Sequence, residues 1–297
     1  MKIPIVVCHG GSASSPALAD GPRSACLAGL GIMARQGGGG ALEAAIASTR
    51  LLEDDARFNA GTGSNLRLDG TTIQMDAACM TSAGDFAAVA AIERVKNPVA
   101  VARRLLETPH VLLVADGATA FARRCGFVDY DPTTPAAKER LRKVLAVTGP
   151  LDEWSRAALA DAWNYETPLR EVLGGDTVGC VAWDGETFAG ALSSGGTTTV
   201  LRGRVGDVPL PGCGLWAGEH GAIATTGDGE HIARSLLAYR AYAELAGGLR
   251  PEQVVQLALD QLAQSVDVGI IVVNQTGFAG GARHGMAWHG ERAPVAA

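Results

Sequence analysis

TVGCVAWDGETFAGALSS, residues 177–194, decides how this chain folds. TVGCVAW and ETFAGALSS read as strands, and Asp184-Gly185 between them is a two-residue hairpin signal, because such residues accept the positive φ of a tight turn. An antiparallel pair is therefore predicted. Near the end of the chain VGIIVVN, a turn at Gln275 to Gly277 and FAGGAR predict a second hairpin. Helical spacing predicts a helix in ALEAAIASTRLLEDD, after Gly37 to Gly40 and ending near Asp55. Pro98 opens another through about Glu107, and VLLVAD leads into GATAFARRC. Residues 228 to 246 read as one helix with Ile232, Leu236, Tyr239 and Ala243 on a face, and Pro251 starts a further helix carrying Val255, Leu259 and Leu262. FAAVAAIERV reads as a strand, and IPIVVC as a buried strand that breaks into a loop at His9-Gly10-Gly11. Pro132, Pro135, Pro150 and Pro168 make Tyr130 to Gly175 linker-like. Hairpins alternating with helix pairs favour sheets layered between helices over a doubly wound parallel sheet.

Composition narrows the function classes. The 297 residues are 47% hydrophobic and 19% charged, which marks a globular chain and leaves open one domain or two. Lys plus Arg number 25 against 31 Asp plus Glu, a net charge of −6 with no basic tract, so general nucleic-acid binding and docking to acidic membranes are excluded. The apolar run after Met1 is too short for a signal peptide, and no segment reaches the ~18 apolar residues of a membrane span, so a cytoplasmic protein is expected. Six cysteines without a CxxC pair support neither a zinc module nor a disulfide framework. The glycines at 37–40 lack a P-loop lysine. Cys8 and His9 are neighbours on a strand and point to opposite faces, which argues against a thiol and its base.

The remaining candidates are FNAGTG (58–63), GGDTVG (174–179), SSGG (193–196), GRVGD (203–207) and TTGDGE (225–230). Singly each has a plain explanation: glycine turns, a strand start at Thr177, a helix cap at Asp228, a solvated pair in Arg204 and Asp207. Together and in this order they resemble the plant-type L-asparaginases, also called isoaspartyl peptidases, which are Thr-dependent N-terminal nucleophile hydrolases. The resemblance runs from His9 to Met286.

It implies a single αββα domain over residues 1–297 that cuts itself between Asp176 and Thr177 into fragments 1–176 and 177–297. It further implies hydrolysis of the side-chain amide of asparagine or of β-aspartyl dipeptides. A freed Thr177 would carry its own base, since an α-amine titrates at about 7.7 to 8.0. By the same resemblance Ser194 would hydrogen-bond the nucleophile, and the Thr226 hydroxyl and Gly227 N–H would form the oxyanion hole. Arg204 would grip the substrate α-carboxylate and Asp207 its α-ammonium, while Asn59 belongs to the supporting loop. No cofactor is implied for catalysis. A structural sodium ion is, held by backbone carbonyls of Leu52, Glu53, Asp55, Phe58, Ala60 and Thr62. The partners implied are a small-molecule substrate and a second copy, in a homodimer of such units. The chain departs from the family pattern at Ser194 where Thr is usual, at Gly175 where His is usual, and at Asp228, which brings an extra carboxylate near the site. Asp176 is similar to its counterpart in the sister branch, so glycosylasparaginase activity is one alternative; an uncleaved, non-catalytic scaffold is another.

Overall fold

Side chains alternate across a strand, so each buried strand must satisfy two different neighbours. A computed structural model describes residues 2–35, 40–148 and 177–294. Seven strands form one sheet: β1 (Ile5–Ser12), β2 (Met75–Thr81), β3 (Phe86–Ile92), β4 (Leu112–Val114), β5 (Val178–Trp183), β6 (Phe188–Ser194) and a last strand, β11 (Met286–Arg292). Their order is β11-β1-β5-β6-β2-β3-β4, antiparallel except where β4 joins β3. The second sheet holds β7 (Leu215–Gly218), β8 (Gly221–Gly227), β9 (Val268–Val273) and β10 (Phe278–Ala282), all antiparallel in the order β10-β9-β8-β7.

Helices α1 (Asp20–Ala34), α2 (Ala41–Asp54) and α3 (Pro98–Leu105) cover the outer face of the first sheet, with α4 (Ala115–Arg124) against β3 and α5 (Pro135–Thr148) following it in the chain. Beyond a short α6 (Gly229–Ser235), α7 (Leu237–Ala246) and α8 (Pro251–Asp260) cover the second sheet. The period of two then sorts the core. Val6 and Cys8 pack toward α1 and α2, while Ile5 and Val7 face the other sheet; Ile271 and Val273 meet them there, and Ile270 and Val272 turn out to α7 and α8. Four layers, αββα, result.

The hairpin at 177–194 forms, but its turn lies one residue later than predicted: a turn at Asp184-Gly185 would set Trp183 opposite Glu186, whereas Trp183 stands opposite Phe188 and the Asp184 N–H reaches the Thr187 carbonyl at 3.3 Å, leaving Gly185-Glu186 as the turn. Gly185 sits at φ +104°, and the Asp184 carboxylate accepts the N–H groups of Glu186 and Thr187 at 2.9 and 2.8 Å. The other oxygen of Asp184 accepts the N–H of Ala41 at 2.9 Å, capping α2 from across the layer.

Four further features differ from the sequence reading. His9-Gly10-Gly11 stays in strand β1, because a bulge between His9 and Ser12, with Gly11 at φ +102°, absorbs the extra residue. The stretch 228–246 is two helices, broken where Leu236 takes φ +51°; carbonyls of Gly212 and Cys213 accept the N–H groups of Tyr239 and Ala238 and dock the start of α7. The segment from Tyr130 contains α5, and residues 149–176, among them Gly174, Gly175 and Asp176, lie outside the described residues. Strands β2, β7, β8 and β11 and helix α1 were not anticipated.

The layer between the sheets gives a stability prediction. Leu192 is fully buried there, so Leu192→Ala should cost about 3 kcal/mol and lower Tm by roughly 5 to 10 °C. Leu257→Ala, at a residue 42% exposed on α8, should change Tm by no more than about 1 °C. Thermal melts of both variants decide it; equal losses would refute the burial argument.

Candidate active site

Thr177 is 3% exposed and stands immediately before β5. Because β5 pairs Val178 with Ser193 and β1 pairs His9 with Gly179, extending each register by one or two steps puts Thr177 level with Ser194 on one side and Gly11 on the other. The second sheet reaches the same point through Thr226, near the end of β8. Its hydroxyl lies 3.4 Å from the Thr177 carbonyl oxygen, to which it donates, and accepts the Ser12 N–H at 3.1 Å. Gly227 follows at φ +133°, where a Cβ would stand 2.8 Å from the Asp267 carbonyl carbon, so only glycine fits. Thr177, Ser194, Thr226 and Gly227 are thus brought together from two sheets.

A braced loop shapes one wall. Ser194 Oγ accepts the Gly196 N–H at 3.1 Å. Asn59 holds the same loop from below: its carbonyl accepts the Gly195 N–H at 2.9 Å and its side-chain amide donates to the Gly196 carbonyl at 2.7 Å. A Cβ on Gly195 would come within 2.6 Å of the Ser64 Cα, which explains a glycine at this crossing. Arg67, only 2% exposed, donates to the carbonyls of Gly195, Thr197 and Gln74 at 2.9, 3.2 and 2.7 Å. Nothing in LRLDG distinguishes it from a surface arginine, since its partners are backbone oxygens, two of them more than a hundred residues away.

Arg204 and Asp207 come next to each other, but not as a pair. The guanidinium of Arg204 forks onto Glu230, Nε to Oε1 at 2.8 Å and Nη2 to Oε2 at 2.7 Å. Burial would raise the Glu230 carboxyl, yet that fork outweighs it and holds the group below the usual carboxylate range. Asp207 is 3% exposed; burial pushes it up to about 7 although the Arg204 charge pulls the other way, and its Oδ2 has no hydrogen-bond partner among the described residues. The loop that carries both is tied by Gln74, whose Oε1 accepts the Gly203 N–H at 2.7 Å, and by Asp76, whose Oδ2 accepts the Gly206 N–H at 3.1 Å. Neither residue stood out in the sequence, because each acts on backbone rather than on a motif partner.

Asp228 opens α6, but its side chain caps no helical amide. Its Oδ2 accepts the Asp267 N–H at 2.8 Å instead. His9 lies fully buried beside the Thr177 backbone, and burial lowers its pKa to about 3, so the imidazole is neutral at any working pH. Cys8 points to the helix side, away from it.

Among the described residues no group of three or more His, Cys, Asp or Glu could hold a metal. The 52–63 loop is of another kind. Successive turn bonds run from the Asp55, Phe58, Ala60 and Gly63 N–H groups to the carbonyls of Leu52, Asp55, Phe58 and Ala60, and Thr62 Oγ1 lies 3.1 Å from the Tyr130 hydroxyl. At Gly61, a Cβ would meet the carbonyl oxygens of Glu53 at 2.5 Å and Lys96 at 2.9 Å; at Gly63, it would meet those of Phe58 and Ala56. Uncharged backbone oxygens suit a hard monovalent cation better than a transition metal, though the carbonyls of Leu52, Asp55, Phe58 and Ala60 each already accept one of these N–H groups.

The asparaginase family matches residues 2–290. A plant-type L-asparaginase of Pyrococcus furiosus is 38% identical over 94% of this chain and 92% of the archaeal protein. Proteins named isoaspartyl peptidase/L-asparaginase from Danio rerio and Rattus norvegicus are 35% and 37% identical, covering 93% and 92% of this chain and 87% and 81% of their own lengths.

Below the site Glu53 supplies a titration to test. It is fully buried, and desolvation pushes its carboxyl up to about 8, against the Val99 N–H that donates to its Oε1 at 2.9 Å and favours the charged form. An unfolded Glu titrates near ~4.3, so the neutral carboxyl contributes stability that is complete below that value and is lost as pH rises through about 8. Glu53→Gln removes that loss: its Tm relative to the parent should climb between about pH 5 and about pH 9. A difference that is flat with pH would mean the buried carboxyl does not titrate in this window.

Proposed function

We propose that this chain, which belongs to the asparaginase family, is a self-processing amidohydrolase acting on the side-chain amide of L-asparagine and on β-aspartyl dipeptides. The observation that carries the reading is the meeting of Thr177, at a strand start, with the hydroxyl of Thr226 from the opposite sheet, 3.4 Å from its carbonyl oxygen.

In the precursor the Thr177 hydroxyl attacks the carbonyl carbon of Asp176, the acyl group passes from nitrogen to oxygen, and water cleaves the ester, leaving Asp176 with a carboxylate and Thr177 with a free amine. That amine then takes the hydroxyl proton as Thr177 attacks the substrate side-chain carbonyl. The tetrahedral oxyanion is met by the Thr226 hydroxyl and the Gly227 N–H, and Ser194 orients the nucleophile. Collapse returns the proton to the leaving nitrogen, so ammonia or an amino compound departs; water, deprotonated by the same amine, then releases aspartate from the ester. Arg204 receives the substrate α-carboxylate in competition with Glu230, and the unpartnered oxygen of Asp207 receives the α-ammonium. Asn59 keeps the wall behind Ser194 in place. A sodium ion bound by carbonyls of the 52–62 loop would stiffen that support and take no part in proton transfer. Six unpaired cysteines accord with a cytoplasmic location, and a homodimer of such units is part of the proposal.

Intact mass and a denaturing gel test the processing step: the parent should yield fragments 1–176 and 177–297, and Thr177→Ala should stay whole. Cleavage of that variant at the same bond would sink the mechanism. Side-by-side assays on L-asparagine, a β-aspartyl dipeptide and a sugar-linked asparagine should favour the first two. Arg204→Lys keeps the charge but loses the fork, and kcat/KM should fall about 10²-fold. Because Asp207 sits at about 7, KM should rise as pH drops below that value, when its carboxyl is protonated. A pH-independent KM would take Asp207 out of substrate binding.

A further inference from the structure

We propose that Asp267 is a positioning residue for the Thr226 hydroxyl, acting through Ser12; this rests on the reading of Thr226 as an oxyanion donor. Asp267 lies just before β9, its side chain 7% exposed, and is tied at every polar atom. The Ser12 hydroxyl donates to its Oδ2 at 2.9 Å, and His284 Nδ1 lies 3.2 Å from its Oδ1. Its backbone exchanges two bonds with Asp228: the Asp228 N–H reaches the Asp267 carbonyl at 2.9 Å, and the Asp267 N–H reaches Asp228 Oδ2 at 2.8 Å. The ends of β1, β8 and β9 and the turn from β10 to β11 therefore converge on one residue.

The consequence falls on Ser12. A serine hydroxyl has three rotamers and no preference of its own, but this one is fixed on a buried carboxylate just past the bulge in β1. With the residue so held, the Ser12 N–H points at Thr226 Oγ1 from 3.1 Å. A hydroxyl that accepts an N–H on one side must present its proton elsewhere, and here that direction is the Thr177 carbonyl oxygen at 3.4 Å. An oxyanion forming on the substrate carbon beside Thr177 needs a donor aimed into the same space before the reaction starts. The Asp228 pair serves the same end, since its two bonds fix the residue that follows Gly227, the second donor.

The test is kinetic and uses the full chain. Ser12→Ala and Asp267→Asn should each lower kcat for L-asparagine roughly tenfold while KM moves by less than about twofold, because a misaimed donor costs the transition state and not the bound substrate. Ser12→Thr, which keeps the hydroxyl, should retain kcat within about twofold. Ser12→Ala combined with Asp267→Asn should be no worse than either alone, as expected for two links of one chain. The inference is overturned if kcat is unmoved in both single variants, if the losses add, or if they vanish when activity is normalised to folded protein. A parent that does not hydrolyse L-asparagine or a β-aspartyl dipeptide overturns the hydrolase reading and this inference with it, whereas an active parent with unmoved variants overturns this inference alone.

Discussion

At one end of the seam between the two sheets the Ser12 N–H donates to the Thr226 hydroxyl, and the site depends on that bond. Elsewhere the sheets meet through Ile5, Val7, Leu192, Leu215 and Ile271, where apolar area is the main contact. Such packing fixes separation but not azimuth. At the open end polar groups must be buried, and each one demands a partner in a definite direction. Ser12, Asp267, Thr226 and Thr177 meet that demand as a chain of directed bonds.

The wall built by residues 193–207 follows the same logic with a different tool. Its glycines give up side chains so that Asn59, Ser64 and Arg67 can approach the backbone. A buried guanidinium bound to carbonyls of Gly195, Thr197 and Gln74 is costly to desolvate unless its donors are matched, and backbone oxygens match them without adding a counter-charge. The positive charge of Arg67 thus stays uncancelled by any of these three partners, whereas that of Arg204 is met by the Glu230 carboxylate.

Much of this was legible in the sequence, for reasons that can be named. The hairpin signal at Asp184-Gly185 and the period-two strands on either side of it are local, and so is the helical spacing from Ala41 to Asp54. The motifs at 58–63, 193–196, 203–207 and 225–230 are contiguous, and the fold brings them to one end. What escaped is non-local. Strand β2 runs MDAACMT, whose Asp76 and weak alternation conceal a central strand buried on both faces. The break at Leu236 is imposed by carbonyls of Gly212 and Cys213 from an earlier loop, against a helical pattern that runs straight through it. Arg67, Asp76 and Asp267 look like surface charges because partners that bury them, Gly195, Gly206 and Ser12, are far away in the chain. Asp228 was expected near a helix start and is there, but it serves the neighbouring strand.

The strand order has a topological consequence for a chain cut before Thr177. In the sequence β11-β1-β5-β6-β2-β3-β4, strands from either side of that bond alternate: β1 is flanked by β11 and β5, and β6 lies on β2. The two pieces would interlace like the fingers of clasped hands, with three full ladders joining them and none free to slide out singly. Parting them means dismantling the sheet, so dissociation and unfolding become the same event, and reassembly, being second order, would slow with dilution in a way that folding of the uncut chain does not.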